Sequence, residues 1–170
     1  SKSDNRILLF RHSCNIGSAA NFQFLLFRSS TQYFMWLGSD DMISSNYIND
    51  CLHSLASTQG AVGVIASNIY HPSSKSPSFT ISSLDQKKTS ARISAFLKRP
   101  STNAYFYSLF NAQALRSCFP LPCMLADDWL LVCRLLRRGP IIAANSPSVF
   151  TQGSSCLLYT SPSPRDATLS

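Results

Sequence analysis

Tyr33-Phe34-Met35-Trp36-Leu37-Gly38-Ser39-Asp40-Asp41 runs a continuous apolar stretch directly into two adjacent carboxylates. An unbroken apolar run of strand length, bounded by polar turns, is the pattern of a central strand buried on both faces of a parallel sheet. Acidic side chains are costly beside a core unless they bind something positive or handle a proton. The same arrangement returns downstream, where Asp127 and Asp128 precede the apolar stretch Trp129-Leu130-Leu131-Val132. One acidic pair at a strand end and one at a helix start predict a metal-dependent transfer site in an α/β sheet.

The flanking sequence fits that frame. Residues 6–10 read as a short buried strand, and a turn through Asn15-Ile16-Gly17 leads into a helix over Ser18–Arg28, with Ser18 as its cap. Ser44 or Ser45 can cap a second helix running to Ser57, with Ile48, Cys51, Leu52 and Leu55 as its buried stripe. Gly60 closes that unit and residues 61–67 are β-rich, so strands and helices alternate as in α/β proteins. Residues 71–84, rich in Ser and Pro, read as a loop. Helices are predicted over 87–97 and 105–117, with a break at Pro100 and a stop at Phe119-Pro120-Leu121-Pro122. Asp127–Arg138 has the clearest helical period: Leu131, Leu135 and Arg138 align, and Gly139-Pro140 ends it before a short strand at 141–144. There is no internal repeat and no interdomain linker.

A chain of 170 residues can bury one sizeable core, and 45% hydrophobic with 14% charged residues is the composition of a folded protein. No apolar stretch approaches the roughly 18–20 residues needed to span a bilayer. The net charge of +7 favours anionic partners such as nucleotides, anionic lipid surfaces or nucleic acid. Lys87, Lys88, Arg92, Lys98, Arg99, Arg134, Arg137 and Arg138 supply much of it at helical spacings, either as a solvated basic face or as one turned to a membrane surface or acidic partner. These runs lack the interleaved aromatics that stack bases, so a nucleic-acid partner is not expected. Cys14, Cys51, Cys118, Cys123, Cys133 and Cys156 form no C-x-x-C pair and have no matching histidines, which argues against a zinc site or a disulfide framework. The expected compartment is the reducing cytoplasm, with the cytoplasmic face of a membrane left open.

The two ends call for separate treatment. Cys156-Leu157-Leu158-Tyr159-Thr160-Ser161-Pro162-Ser163-Pro164-Arg165-Asp166 resembles, residue for residue, a translated sequencing adapter, with 167–170 as readthrough of its index. Ser and Pro crowd this stretch and no periodic apolar face enters it. Residues 156–170 are therefore expected to be a non-native tail, and residues 1–155 to carry the fold. The chain opens on Ser1-Lys2-Ser3-Asp4-Asn5 and enters a predicted strand at once, as expected of an interior fragment from metagenomic reads.

In doubly wound sheets ligands bind beyond the carboxyl ends of the strands, where Asp40 and Asp41 are predicted to lie. Mg²⁺ commonly takes only one or two protein carboxylates together with phosphate oxygens. An aspartate there also serves simply to start a turn. Asp127 and Asp128 suit a helix N-terminus by capping and dipole alone; the functional alternative is that one of them takes a proton from an attacking hydroxyl. Asn15-x-Gly17-x-x-x-Asn21 either forms a plain turn and helix start or lets Asn21 face a ligand cleft. Neither G-x-G-x-x-G nor a Walker A sequence occurs, which argues against a dinucleotide or P-loop site. Trp36, Trp129 and Tyr105 could pack in the core or line a sugar subsite.

Taken together, Asn15-Ile16-Gly17-Ser18-Ala19-Ala20-Asn21, Trp36-Leu37-Gly38-Ser39-Asp40-Asp41, Asp127-Asp128-Trp129-Leu130-Leu131-Val132-Cys133-Arg134 and Arg137-Arg138-Gly139 resemble the motifs of family 2 glycosyltransferases of the GT-A fold, across residues 6–150. The resemblance implies a Rossmann-like mixed sheet flanked by helices, truncated at its N-terminus. It implies inverting, metal-dependent transfer of a sugar from a nucleotide-diphosphate sugar to an acceptor hydroxyl on a glycan, lipid-linked sugar or protein. Asp40 then corresponds to the metal-binding member of the Asp-x-Asp motif, with Mg²⁺ or Mn²⁺ as cofactor, and Asp41 supports it or contacts the donor. Asp128 corresponds to the catalytic base and Asp127 to its companion. Asn21, with Asn15 and Gly17, falls near the nucleotide, and Arg134 braces the acidic helix. The chain departs from the family pattern at Gly38, where many members carry the first aspartate, at Ser39, and at Asp127, usually glutamate. Two other classes stay open: a noncatalytic or degenerate GT-A-fold protein that binds sugar or nucleotide, and a sugar-nucleotide pyrophosphorylase.

Overall fold

A computed structural model describes residues 4–39, 41–70, 77–98, 103–122 and 124–151, without the side chains of residues 78, 79, 146–148, 150 and 151. The predicted positions of Asp40, Arg99, Pro100, Cys123 and the tail from Cys156 lie outside the described residues. The chain is a mixed α/β structure: an open mixed sheet with helices on both faces.

Among the described residues, five α-helices and six strands follow in the order α1 (Ser18–Arg28), β1 (Tyr33–Phe34), β2 (Asp41–Ile43), α2 (Tyr47–Ser57), β3 (Gly63–Tyr70), β4 (Pro77–Thr80), α3 (Thr89–Leu97), β5 (Leu109–Asn111), α4 (Ala112–Arg116), α5 (Asp127–Arg138) and β6 (Ile141–Thr151), with a 3-10 turn over Ala104–Tyr107 before β5. The strand order is β1-β5-β3-β6-β2, with β4 also on β3. Only β3 and β6 are parallel; the other pairs are antiparallel. Their register runs from Gly63↔Ile141 to Tyr70↔Phe150 and shifts between Ala66 and Asn68. Pro147, which has no N–H to give a ladder, lies in the stretch that slips out of register, and Ser67 Oγ donates to Asn145 Oδ1 there at 2.9 Å.

Alternation along β3 builds two cores. Val64 and Ala66 face α2, joining Tyr47, Cys51, Leu109 and Ala144. Ile65 and Ile69 face the opposite side, where Leu131, Leu135 and Leu136 of α5 meet Phe96 of α3 and Leu26 of α1. Full burial of such aliphatic side chains stabilises the fold by about 1.5–3 kcal/mol each. Arg92 of α3 is 8% exposed and has no carboxylate partner among the described residues. It donates to the Leu136 carbonyl from Nε at 3.0 Å and Nη2 at 2.8 Å, and from Nη1 to the Gln86 carbonyl at 2.7 Å. The cation therefore satisfies the last turn of α5, where carbonyls lack helical partners and the dipole is negative. Arg92 does not belong to the solvated basic face that its spacing with Lys87, Lys88 and Lys98 suggests.

Several predicted elements form otherwise. Residues 6–10 make no strand: Ile7, Leu8 and Leu9 are 75%, 72% and 87% exposed, because among the described residues no strand lies beside them. The stretch 33–37 is not a central parallel strand. Only Tyr33 and Phe34 pair, antiparallel to β5 at the sheet's edge. Side-chain alternation persists beyond the pairing, with Phe34 and Trp36 in one core and Tyr33 and Met35 in the other. Residues 105–117 hold the end of the 3-10 turn, β5 and α4 rather than one helix. Part of the predicted 71–84 loop is strand β4, and the final strand continues from Ile141 to Thr151. Ser18 does not cap α1; Gly17 holds that position at φ 78. Asn46, not Ser44 or Ser45, precedes α2, and Tyr47 joins Cys51 as its buried residues while Ile48 is exposed.

Candidate functional site

α5 ends at Gly139-Pro140 and the chain reverses at once into β6, so the helix runs back along the sheet. Its first turn, with Asp127 and Asp128, consequently points toward the carboxyl ends of the parallel pair β3/β6. Asp41 is the first residue of β2 and pairs with Thr151, the last residue of β6. Asp41 thus opens an antiparallel strand rather than closing a parallel one, and by alternation it shares the face of Ile43, which packs in the α2 core, whereas α5 covers the opposite face. A turn in which the Asp41 N–H donates to the Gly38 carbonyl at 3.2 Å leads into it. Asp40, the predicted metal ligand, lies outside the described residues.

The α5 pair is set by backbone as well as sequence. Ala126 precedes it in the left-handed region at φ 64, a conformation that costs a side-chain-bearing residue about 1–2 kcal/mol. Its carbonyl accepts from the N–H groups of Trp129 and Leu130, starting the helix. Asp127 Oδ1 accepts the Asp128 N–H at 2.9 Å. Asp128 Oδ2 accepts from Asn103 Nδ2 at 2.9 Å. Both carboxylates are half-buried. One oxygen of Asp128 is thus held, and no described side chain engages the other. Such a carboxylate can accept a proton from a hydroxyl brought to its free oxygen. Farther along the helix, Arg134 Nη1 donates to the Cys118 and Pro120 carbonyls at 2.7 and 2.6 Å, tying α5 to the preceding loop.

A second group gathers at the start of α1. Asn15 Oδ1 accepts the Gly17 N–H at 2.9 Å, a local turn that hands the chain to the helix through the positive φ of Gly17. Asn21 Oδ1 lies 3.2 Å from His12 Nε2, which donates in the tautomer protonated there. His12 packs edge-on against Phe24 with ring centroids 4.7 Å apart. The structure therefore brings Asn15, Gly17 and Asn21 together and adds His12. Among the described residues no hydrogen bond or ion pair joins this group to Asp127 or Asp128.

The aromatic candidates for a sugar subsite divide. Trp36 stacks on Phe106 at 4.6 Å and 6° and donates from Nε1 to the Phe22 carbonyl at 3.2 Å, so it is core. Tyr105 is likewise buried and donates to the Ser82 carbonyl at 2.7 Å. Trp129, half-buried, leans on Phe96 next to Asp128. An open depression of about 420 Å³ lies at the opposite end of the sheet, lined by Gly60, Val62, Asn111, Gln113 and Arg138, away from both acidic positions.

Asn103 and His12 were not legible as site residues. A lone asparagine carries no spacing signal when its partner is 25 positions away. His12 lies nine residues before Asn21, outside any helical register that would have linked them. Among the described residues no three His, Cys, Asp or Glu side chains cluster as a complete metal cage. No helix among them is long and apolar enough to cross a membrane. No protein-family model, curated protein or solved structure matches the chain.

Proposed function

We propose that the chain carries the acceptor-activating part of a GT-A-type glycosyltransferase, which moves a sugar from a nucleotide-diphosphate donor to an acceptor hydroxyl with inversion. The observation that carries the reading is Asp128 itself, half-buried in the first turn of α5, held at Oδ2 by Asn103 and with its other oxygen engaged by no described side chain. The sequence resemblance across the four motif blocks supplies the reaction class.

Asp128 acts as the base. Its unengaged oxygen takes the proton of the acceptor hydroxyl as that oxygen attacks the anomeric carbon from the face opposite the diphosphate. Asp127, occupied with the Asp128 N–H, orients the first turn rather than moving a proton. Asp40 and Asp41 would hold Mg²⁺ or Mn²⁺. Two adjacent carboxylates suit a hard cation that would complete its shell with phosphate oxygens and water. When bound, that cation offsets negative charge on the departing diphosphate. Asn15, Gly17 and Asn21 contribute to the nucleotide side, and Trp129 flanks the acceptor.

The test is Asp128→Asn in the longest form of the protein its gene encodes. Nucleotide-sugar binding, measured by calorimetry, stays within about twofold, while transfer falls by about 10²–10⁴-fold. Undiminished transfer by that variant overturns the assignment of the base.

A further inference from the structure

Asn103 stands at the N-cap of the 3-10 turn Ala104–Tyr107, a position where asparagine normally folds back onto the N–H groups of the following turn. It makes no such bond. Its amide reaches across to α5 instead, with Nδ2 donating to Asp128 Oδ2 at 2.9 Å. An ionised carboxylate only accepts, so the nitrogen must face it and the amide oxygen must turn away. That oxygen is buried and has no hydrogen-bond partner among the described residues. Burying an unpaired amide oxygen costs about 1–3 kcal/mol. The side chain thus forgoes both its cap and a partner for its own oxygen, and retains a single bond to Asp128. It is also the only side chain that holds Asp128 among the described residues, since Asp127 engages the Asp128 backbone.

We infer that Asn103 is the positioning residue of the proposed base, fixing Asp128 Oδ2 so that Oδ1 is the oxygen offered to the acceptor hydroxyl. The inference rests on the base role proposed for Asp128. A carboxylate at the end of a helix can rotate about its side-chain torsions, and a proton acceptor must sit within about 2.6–3.2 Å of the hydroxyl in the reactive complex. The Asn103 bond removes that freedom from one side. Asn103 belongs to the turn before β5, so the sheet itself, through β5, sets where Asp128 points.

Asn103→Leu separates positioning from structure. Leucine keeps the approximate size, removes the donor to Asp128 and removes the unpaired oxygen. The expected result is an unchanged or raised melting temperature, an unchanged donor KM and a kcat lowered by about 10–100-fold, with Asn103→Gln recovering part of the loss through its retained amide donor. The assay is sugar release and transfer from a panel of UDP-, GDP- and dTDP-hexoses, run beside Asp128→Asn. If Asp128→Asn is inactive while Asn103→Leu turns over as fast as the unaltered protein, the positioning role is wrong and the base role stands. A lowered melting temperature with full kcat per folded molecule likewise assigns Asn103 to structure alone. If the unaltered protein transfers from no donor in the panel, or Asp128→Asn transfers normally, the base role falls and the inference falls with it.

Discussion

The β3–β6 pair with its covering helices and the N-terminal stretch through α1 are held on different terms. In the first, both faces of the sheet are covered: α5 contributes Leu131, Val132, Leu135 and Leu136 to one core, α2 contributes Tyr47 and Cys51 to the other, and Arg92 fastens the end of α5 to α3. In the second, Ile7, Leu8 and Leu9 stand in solvent, and Phe10 is attached chiefly through Phe24, 5.5 Å away, and the Arg28 guanidinium, 5.1 Å above its ring. The proposed site draws on both. Its base side, Asp128 with Asn103, is built into the rigid region. Its nucleotide side combines Asn15 and Gly17, in the exposed turn, with Asn21 on α1, a helix that Leu26 anchors in the core. Proton transfer demands tighter placement than diphosphate binding, which a shared cation could complete on ligand arrival.

The comparison breaks most visibly in the cores. Leu135→Ala, at a fully buried position, is expected to lower unfolding free energy by about 2–5 kcal/mol, read from urea denaturation. Leu8→Ala, at a position 72% exposed, is expected to change it by less than about 0.5 kcal/mol. Equal effects would show that residues 6–10 are packed in solution.

Glycine substitutions sharpen the same contrast. A Cβ on Gly139 would overlap the Gly60 carbonyl oxygen and come within 2.8 Å of Val62 Cγ1, so Gly139→Ala must push the α5–β6 turn off β3. The expected cost is about 2–3 kcal/mol. A Cβ on Gly17 meets nothing within 4 Å, leaving only the strain of its φ of +78. Gly17→Ala is expected to cost about 1 kcal/mol, measured by the shift in urea midpoint.

A smaller effect per pH unit tests the α2 core. Burial pushes the Cys51 thiol up to about 12 from 9.0, and burial also raises Tyr47 beside it. Both groups are neutral in the folded state below these values, while the unfolded chain ionises its thiol near 9. Stability contributed by Cys51 is therefore intact below pH 9 and declines between about 9 and 12, by at most about 1.4 kcal/mol per pH unit. Cys51→Ala should flatten this alkaline slope in pH-dependent urea melts. Exposed Cys14 should meanwhile react with a thiol reagent in the native protein well before Cys51. An alkaline slope unchanged in Cys51→Ala would remove the thiol as its source.

The sequence was most legible where local chemistry and packing agree. α5 runs from Asp127 to Arg138 as its apolar period and Gly139-Pro140 stop predict, and α1 ends at Arg28 as expected. Residues 105–117 misled because Tyr105, Leu109 and Ala112 recur at near-helical spacing. In space Leu109 and Phe110 point into opposite cores, which only a strand permits. Residues 6–10 have strand composition, but composition cannot supply a neighbouring strand. In the site, the carboxylates announced themselves by being acidic beside apolar runs. Asn103 did not, because its meaning lies in one bond to a distant residue and in an oxygen left without a partner.

The proposal requires one donor complex to reach both Asp41 and Asp128, and paramagnetic broadening by Mn²⁺ in the presence of UDP reads this directly. The account predicts that the amide signals of Asp41 and of Asp127 and Asp128 broaden together. Those of Arg137 and Arg138, roughly 15 Å farther along α5, should stay sharp. Broadening at Asp41 with sharp signals at Asp127 and Asp128 would contradict it.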